Sequence, residues 1–566
     1  MPTHARPKGR RRHATLAAIC LLLAACGGGG GGGDAPAAAP APAPAPAPAQ
    51  PTRQALSEAS KLLARTTFGA DFEAIDSVAR EGAEAWFDRQ LALPPSLHEP
   101  IVRRYLVEYG FDINANPPPG TFRRFAFWEQ ALTAPDQLRQ VVAHALTQIF
   151  VVSDNVDALF INPLALSSYY DLLLTHAFGN YRELLRAVTL HPAMGVYLSH
   201  VNNARANPAA NTFPDENYAR EVMQLFSIGL FELNDDGSQR LDGAGRPIPT
   251  YDNDDIQEFA RIFTGLSYGP NQPGGTSFFG NQQPVLHVPM RMFDDFHEPG
   301  EKRLLNGQVV PAGQSGMADI DAAIDNLFNH PNVGPFFGRL LIQRLVTSNP
   351  SPAYVARVAA AFDGDGAQPR GDMVRVLRAV LFDPEADSGI RLREPFLRYV
   401  ALNRSLGATS DDGTYPGLGY IVQFLTQQHV LSAPSVFNFY APGFSPAGDL
   451  GDAGLAAPEF QITTESTIVG MTNLIAFALY GERAIDTPDG FATIRLDLGE
   501  YEALAADPAA LLDRIDLVFF AGTLSAATRQ TIADAIAPLG ADAGNRARLA
   551  LYLALASPEH AVQGGG

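Results

Sequence analysis

Asp215-Glu216-Asn217-Tyr218-Ala219-Arg220-Glu221-Val222-Met223-Gln224-Leu225-Phe226-Ser227 is the stretch on which the reading of this chain turns. At about 100° per residue around a helix axis, Glu216, Asn217, Arg220, Glu221, Gln224 and Ser227 share one polar stripe roughly 140° wide. Tyr218, Ala219, Val222, Met223, Leu225 and Phe226 fill the remaining arc. The pattern predicts a helix over 215–231, with Pro214 before it, Asp215 as N-cap and Gly229 weakening its end. The stripe admits two readings. Solvated, it holds a Glu216–Arg220 pair that contributes a few tenths of a kcal/mol. Turned inward, Asn217, Arg220 and Glu221 form a pocket constellation. An amide one turn before a carboxylate, with a guanidinium alongside, suits a hydrogen-bonded ligand or a metal.

Outward from this segment, apolar residues recur every three or four positions over most of the chain. Helices are expected at 57–67, 82–91, 136–151, 169–178 and 182–189, then at 254–266, 320–328, 335–346, 352–362 and 372–382. The C-terminal part adds 464–479, 507–520, 526–536 and 544–556. Strand signals are few. Residues 231–251 carry Asp236-Gly237 and Asp242-Gly243 turns between short β-prone pieces, and 303–310 reads as a hairpin about Asn306-Gly307. The expected fold is mainly α, a large multi-helix globular body with one or two short β-hairpin excursions. The helical core covers 55–406, and a C-terminal helical region, 407–566, packs on it.

The N-terminus is an address and is set aside before fold reasoning. Arg10-Arg11-Arg12 precede a short apolar run, 14–22, too short to span a bilayer, which takes about 20 helical residues. The run ends in Leu23-Ala24-Ala25-Cys26, which resembles the bacterial lipoprotein signal. By that resemblance residues 1–25 are a signal peptide, Cys26 is lipidated, and Gly27 in place of aspartate favours the outer membrane. Residues 26–54 then form a tether, a glycine run followed by near-alternation of Ala and Pro that favours polyproline II. With Cys20 discarded and Cys26 acylated, no thiol remains for a cysteine hydrolase or a zinc ribbon.

The 566 residues carry a formal net charge of −19. Beyond residue 25 there are 36 basic and 60 acidic side chains, a charge of −24. Nucleic-acid binding, which needs concentrated Lys and Arg, is thereby excluded as a general role. With 46 % hydrophobic and 18 % charged residues, the chain has the means to bury a core.

Pro214 to Glu221, followed by Gln224-Leu225-Phe226-Ser227-Ile228-Gly229, resembles the signature of the bacterial family called domain of unknown function 1800. Tyr170-Asp171-Leu172-Leu173, Gly179-Asn180-Tyr181-Arg182 and His191-Pro192-Ala193-Met194 precede it in the family's order. Phe296-His297-Glu298-Pro299-Gly300-Glu301-Lys302 and Arg370-Gly371-Asp372 follow. The resemblance implies a largely helical, exported protein of unassigned activity. It also implies a possible exported partner from a second family, domain of unknown function 1501. Where members often carry tryptophan after Thr-Gly, this chain has Leu266.

Other motifs are weaker. Gly265-Leu266-Ser267-Tyr268-Gly269 spells a nucleophile elbow, but a helix is expected before Ser267 where the elbow needs a strand. Asp363-Gly364-Asp365 lacks the glycine and glutamate of a calcium loop. Asp252, Asp254 and Asp255 read as a charged first helical turn. His144 and His176 read as structural, and His191 as a helix cap. His297 lies in a Gly/Pro-containing loop, where functional residues concentrate. A site joining His297 to Glu221 and His200 would serve metal binding or acid–base chemistry. The expected site residues are therefore Glu221 and His297 for catalysis, Asn217, Arg220, Glu221, His297 and Lys302 for a ligand pocket, and Glu221, His200 and His297 for a metal. Three functions follow: a scaffold or assembly partner of another exported protein, a hydrolase of an envelope or extracellular polymer, or a small-ligand or carbohydrate binding module.

Overall fold

The computed structural model describes residues 50–111, 120–269, 278–279, 285–411, 415, 419–481, 483–487 and 490–564. The expected signal peptide, residues 1–25, Cys26 and nearly all of the expected tether lie outside the described residues. Residues 51–566 form one compact unit.

The body is built from helices because its apolar residues keep the helical period, and the helices begin where capping side chains stand. Thr52, Asp71, Asn180, Ser315, Ser351, Asp372 and Ser525 each accept a backbone N–H from the first turn of a helix. Asp252 and Asp255 complete a capping box at Asn253–Ile262, so the acidic run there is a helix start. Among the described residues the structure has 24 α-helices and only short antiparallel strands, in three two-stranded sheets and one three-stranded sheet. It is a mainly α body, as the periodicity predicts. The Ala526–Ile536 and Pro352–Asp363 helices fall where they are expected. The helices Phe72–Glu81, Thr121–Thr133 and Pro395–Ser405 were not anticipated. Thr121–Thr133 is buried on most of its circumference, so it shows no polar face for a periodicity argument to find.

The Asn306-Gly307 hairpin forms. Lys302–Arg303 pairs with Val309–Val310, and both turn residues take positive φ, 59° and 72°, as the two-residue turn requires. The 231–251 excursion is a set of single bridges, Phe231 with Pro249, Leu233 with Gln239 and Leu241 with Pro247.

One hydrophobic core runs from Ala59 to Leu555. Near its middle the Tyr181 ring packs 4.7 Å from Phe337 and 5.4 Å from Phe362, and its hydroxyl donates to the Phe226 carbonyl. The first helix meets the C-terminal part, and the last strand meets the middle of the chain. Arg53 pairs with Asp516 at 2.7 Å, Ser60 Oγ donates to the Leu517 carbonyl at 2.6 Å, and Arg391–Leu392 forms a two-stranded sheet with Val562–Gln563.

Candidate functional site

The signature segment is not one regular helix. Asn217–Glu221 is a single α-helical turn, and Val222–Ser227 continues as π-helix. Such π segments are rare and recur at functional sites. Asn203 grips the start, accepting from the Asp215 N–H at 2.9 Å, and Asp215 accepts from the Asn217 N–H at 2.8 Å. Past Glu221 the ladder lengthens, so a projection drawn for a uniform helix misplaces every later side chain.

This divides the expected triad. Asn217 is exposed and reaches Ser199 Oγ at 3.3 Å. Arg220 keeps the Glu216 pairing at 3.3 Å with both side chains substantially exposed, the solvated arrangement. Only Glu221 turns inward. It is 6 % exposed, and its Oε2 has no hydrogen-bond partner. Burial raises its pKa. It lies near Tyr197 and Tyr251, whose hydroxyls its charge pushes further up after burial. The inward pocket of Asn217, Arg220 and Glu221 is therefore not formed.

His297 is 2 % exposed, and both ring nitrogens are engaged. Nδ1 lies 2.9 Å from the Thr264 carbonyl, and Nε2 lies 3.0 Å from Asp319 Oδ2. Lys302, 1 % exposed, donates to Asp319 at 2.5 Å and to the Glu298 carbonyl, with His297 Nε2 at 3.4 Å. Gln314 covers Asp319 Oδ1 at 3.0 Å. His200 is elsewhere. It stacks on Tyr218 with ring centroids 3.9 Å apart, bonds the Thr189 carbonyl at 2.9 Å, and burial lowers its pKa to about 4. Glu221, His200 and His297 share no partner. No group of three His, Cys, Asp or Glu with the arrangement of a metal site occurs among the described residues.

The remaining motifs make contacts within the fold. His191 caps Pro192–Tyr197 through Nδ1. His144 contacts Gln148 and Glu394. Ser267 lies on a strand and donates to Asn202. Asp363 pairs with Arg370, and Asp365 accepts from its own loop.

The signature does line a recess, with other residues. Gln224, Leu225 and Gly229 form one wall of a cleft of about 600 Å³. Gly229 has φ +72°, and a Cβ there would sit 2.9 Å from the Phe336 ring, so only glycine lets that ring close against the turn. Asn332 fixes the wall. Its Nδ2 donates to the Ile228 and Phe231 carbonyls at 2.8 Å each, and its Oδ1 accepts from the Leu233 N–H at 2.9 Å. The same cleft is lined by Arg339, Gln343 and Arg344 from Val333–Leu345, and by Phe437 and Asn438 from the loop before Tyr440. Asn438 has φ 67° and a buried Nδ2 with no partner. Arg339 is exposed. The lining contains amides, two guanidinium groups and aromatic rings, but no Asp, Glu, His, Lys or Cys.

Behind the cleft floor lies a buried network. Gln148 donates to both Glu394 oxygens at 3.0 Å, and its Oε1 accepts from the Tyr440 hydroxyl at 3.2 Å. Tyr440 also reaches Glu394 at 2.8 Å, and Arg391 joins Glu394 at 3.4 Å to Glu459 at 3.1 Å. Burial opposes ionisation of Glu394, yet His144, Arg391 and Gln148 outweigh it and hold its carboxyl far below the usual range. The ionised carboxylate in turn fixes the floor amide.

Gln148, Arg339, Arg344 and Asn438 were missed because no spacing links them; they come from separate segments that tertiary packing brings together. The available signals were Gln224 and Gly229. No curated protein and no solved structure matches the chain. A family model does, over residues 61–562, and by that match the chain belongs to the family described as protein of unknown function DUF1800.

Proposed function

We propose that this is an exported, lipid-anchored binding protein whose cleft takes a small acidic sugar or sugar oligomer. The observation that carries the reading is the cleft lining. Amides suit hydroxyl groups, the guanidinium groups of Arg339 and Arg344 suit a carboxylate, and Phe231, Phe336 and Phe437 offer faces to a sugar ring. A hydrolase needs a group that exchanges protons near neutral pH beside its substrate, and none lines this recess. The Leu23-Ala24-Ala25-Cys26 sequence supports the anchor. Galacturonate oligomers are the probe. They are expected to raise the unfolding temperature of the full chain without being cleaved, and Arg339→Ala with Gln224→Leu should abolish the rise. Unchanged unfolding in the presence of the oligomers, or their cleavage, defeats the reading. Cys26→Ser is expected to release the protein from membranes.

A second reading, assembly with an exported partner such as one of the domain of unknown function 1501 family, is favoured by a different surface. Ile421 and Phe424 of Gly419–Thr426, with Ile468, Val469, Phe477 and Tyr480 of Glu465–Tyr480, are exposed on two helices that pack together. Glu465 is the only charged residue in either helix. Apolar surface of this kind marks contact sites. Phe424→Asp with Val469→Asp should abolish co-purification of that partner while leaving oligomer binding intact.

A further inference from the structure

Arg344 lies on the last turn of the Val333–Leu345 helix and lines the cleft together with Gln148. It is 6 % exposed, and its Nε is buried with no hydrogen-bond partner. No hydrogen bond or ion pair of its guanidinium group occurs among the described residues; the group stacks on the Tyr440 ring, 4.6 Å from the centroid. Its neighbour Arg391 is treated differently. Glu394 at 3.4 Å and Glu459 at 3.1 Å both bond Arg391, which also donates to the Arg344 carbonyl. Burial raises the Glu459 pKa, and Arg391 ahead of Arg344 opposes that rise, so Arg344 acts on this carboxylate only from a distance. The cleft lining does not supply the missing acceptor. Gln148 turns its amide nitrogen to Glu394, and Gln343 turns its own to the Ser348 and Pro442 carbonyls. Asn438, also 6 % exposed, adds a second buried donor without a partner, Nδ2.

We propose that Arg344 is the residue that makes the cleft selective for a carboxylate, forming a buried ion pair with one acid group of the ligand, while Arg339 adds only screened attraction. The inference rests on the cleft being a sugar-binding site. An ionised carboxylate has acceptors and no donor, so it suits a lining whose spare buried groups are donors, and its two coplanar oxygens match a guanidinium bidentately. A hydroxyl or a water satisfies an N–H but leaves the guanidinium without a bonded counter-ion. Tyr440 holds the guanidinium from one face, and Glu394 fixes the Tyr440 hydroxyl at 2.8 Å. Arg339, exposed on the same helix, is screened by salt, whereas a buried pair at Arg344 is screened much less.

The test is calorimetric titration of the full chain with galacturonate oligomers and with the same oligomers methyl-esterified, a change that removes the charge and keeps the sugar. Wild-type protein should bind the acid about tenfold more tightly or better, and the preference should persist in about 0.5 M sodium chloride. Arg344→Met should bind acid and ester alike with its ester affinity unchanged, a result that a merely structural role for the arginine does not give. If Arg344→Met keeps the preference, or if the preference vanishes in salt, charge selection lies elsewhere and the inference falls while the sugar-binding reading stands. Loss of ester binding together with acid binding in the variant makes Arg344 a structural residue and likewise overturns the inference. Equal wild-type binding of acid and ester overturns it too, and binding of neither defeats the sugar-binding reading as well.

Discussion

The His297 cluster and the Gln224 cleft use similar polar side chains and end in opposite states. Around His297, Lys302 donates to Asp319 and to the Glu298 carbonyl with His297 Nε2 beside it, and Asp319 is covered on both oxygens. Nothing is left over for a ligand. Around the cleft, Asn438 Nδ2 and Arg344 Nε are buried without partners and Arg339 stands in solvent. Buried polar groups are ordinarily satisfied, so spare capacity beside open space is the better mark of recognition. A histidine in a loop with charged neighbours looks functional by residue type. Its hydrogen-bond inventory makes it a staple.

The contrast between a closed interior and an open cleft is sharpened most by pH. Burial lowers the pKa of His98 and His200 to about 4 and of His191 to about 3. Between about pH 4 and 6.5 the unfolded chain therefore binds more protons at these sites than the folded one, so stability falls as pH drops through that window. Each histidine adds a slope of about 1.4 kcal/mol per pH unit. Asp171, pushed up to about 7 by burial, acts in the opposite direction and offsets roughly one of them. Urea unfolding at pH 7 and pH 4.5 measures the net effect, and equal stabilities would contradict a closed interior.

Next in size is Asp319→Ala, which strands the buried Lys302 charge and should lower stability by about 3–5 kcal/mol. A loss under about 1 kcal/mol would reopen the His297 cluster as a site. Gly229→Ala forces a side chain into positive φ and against Phe336, and should cost about 1–3 kcal/mol while weakening ligand binding. Calorimetry with the oligomer probe separates the two effects. Smallest is Asn217→Ala, within about 0.5 kcal/mol and with binding unchanged, since its side chain is exposed. A larger effect would restore the residue to the site.

The helical character of the chain was legible because amphipathic helices such as Asn253–Ile262 and Met373–Leu381 carry one apolar face each. The Asn306-Gly307 turn was legible because few residues tolerate its backbone. The signature lines the cleft through Gln224, Leu225 and Gly229 and not through Asn217, Arg220 or Glu221. Its π segment sets which groups face inward, and helical projection cannot reveal that register change. The rest of the lining, with Arg344 and Asn438, and the floor amide Gln148 depend on packing between distant segments and have no local pattern.

The pairing of Arg391–Leu392 with Val562–Gln563, and of Arg53 with Asp516, has a consequence for biogenesis. The first helix pairs with residue 516 and a central strand with residues 562–563, so native closure depends on contacts of very large sequence separation, and such contacts form slowly.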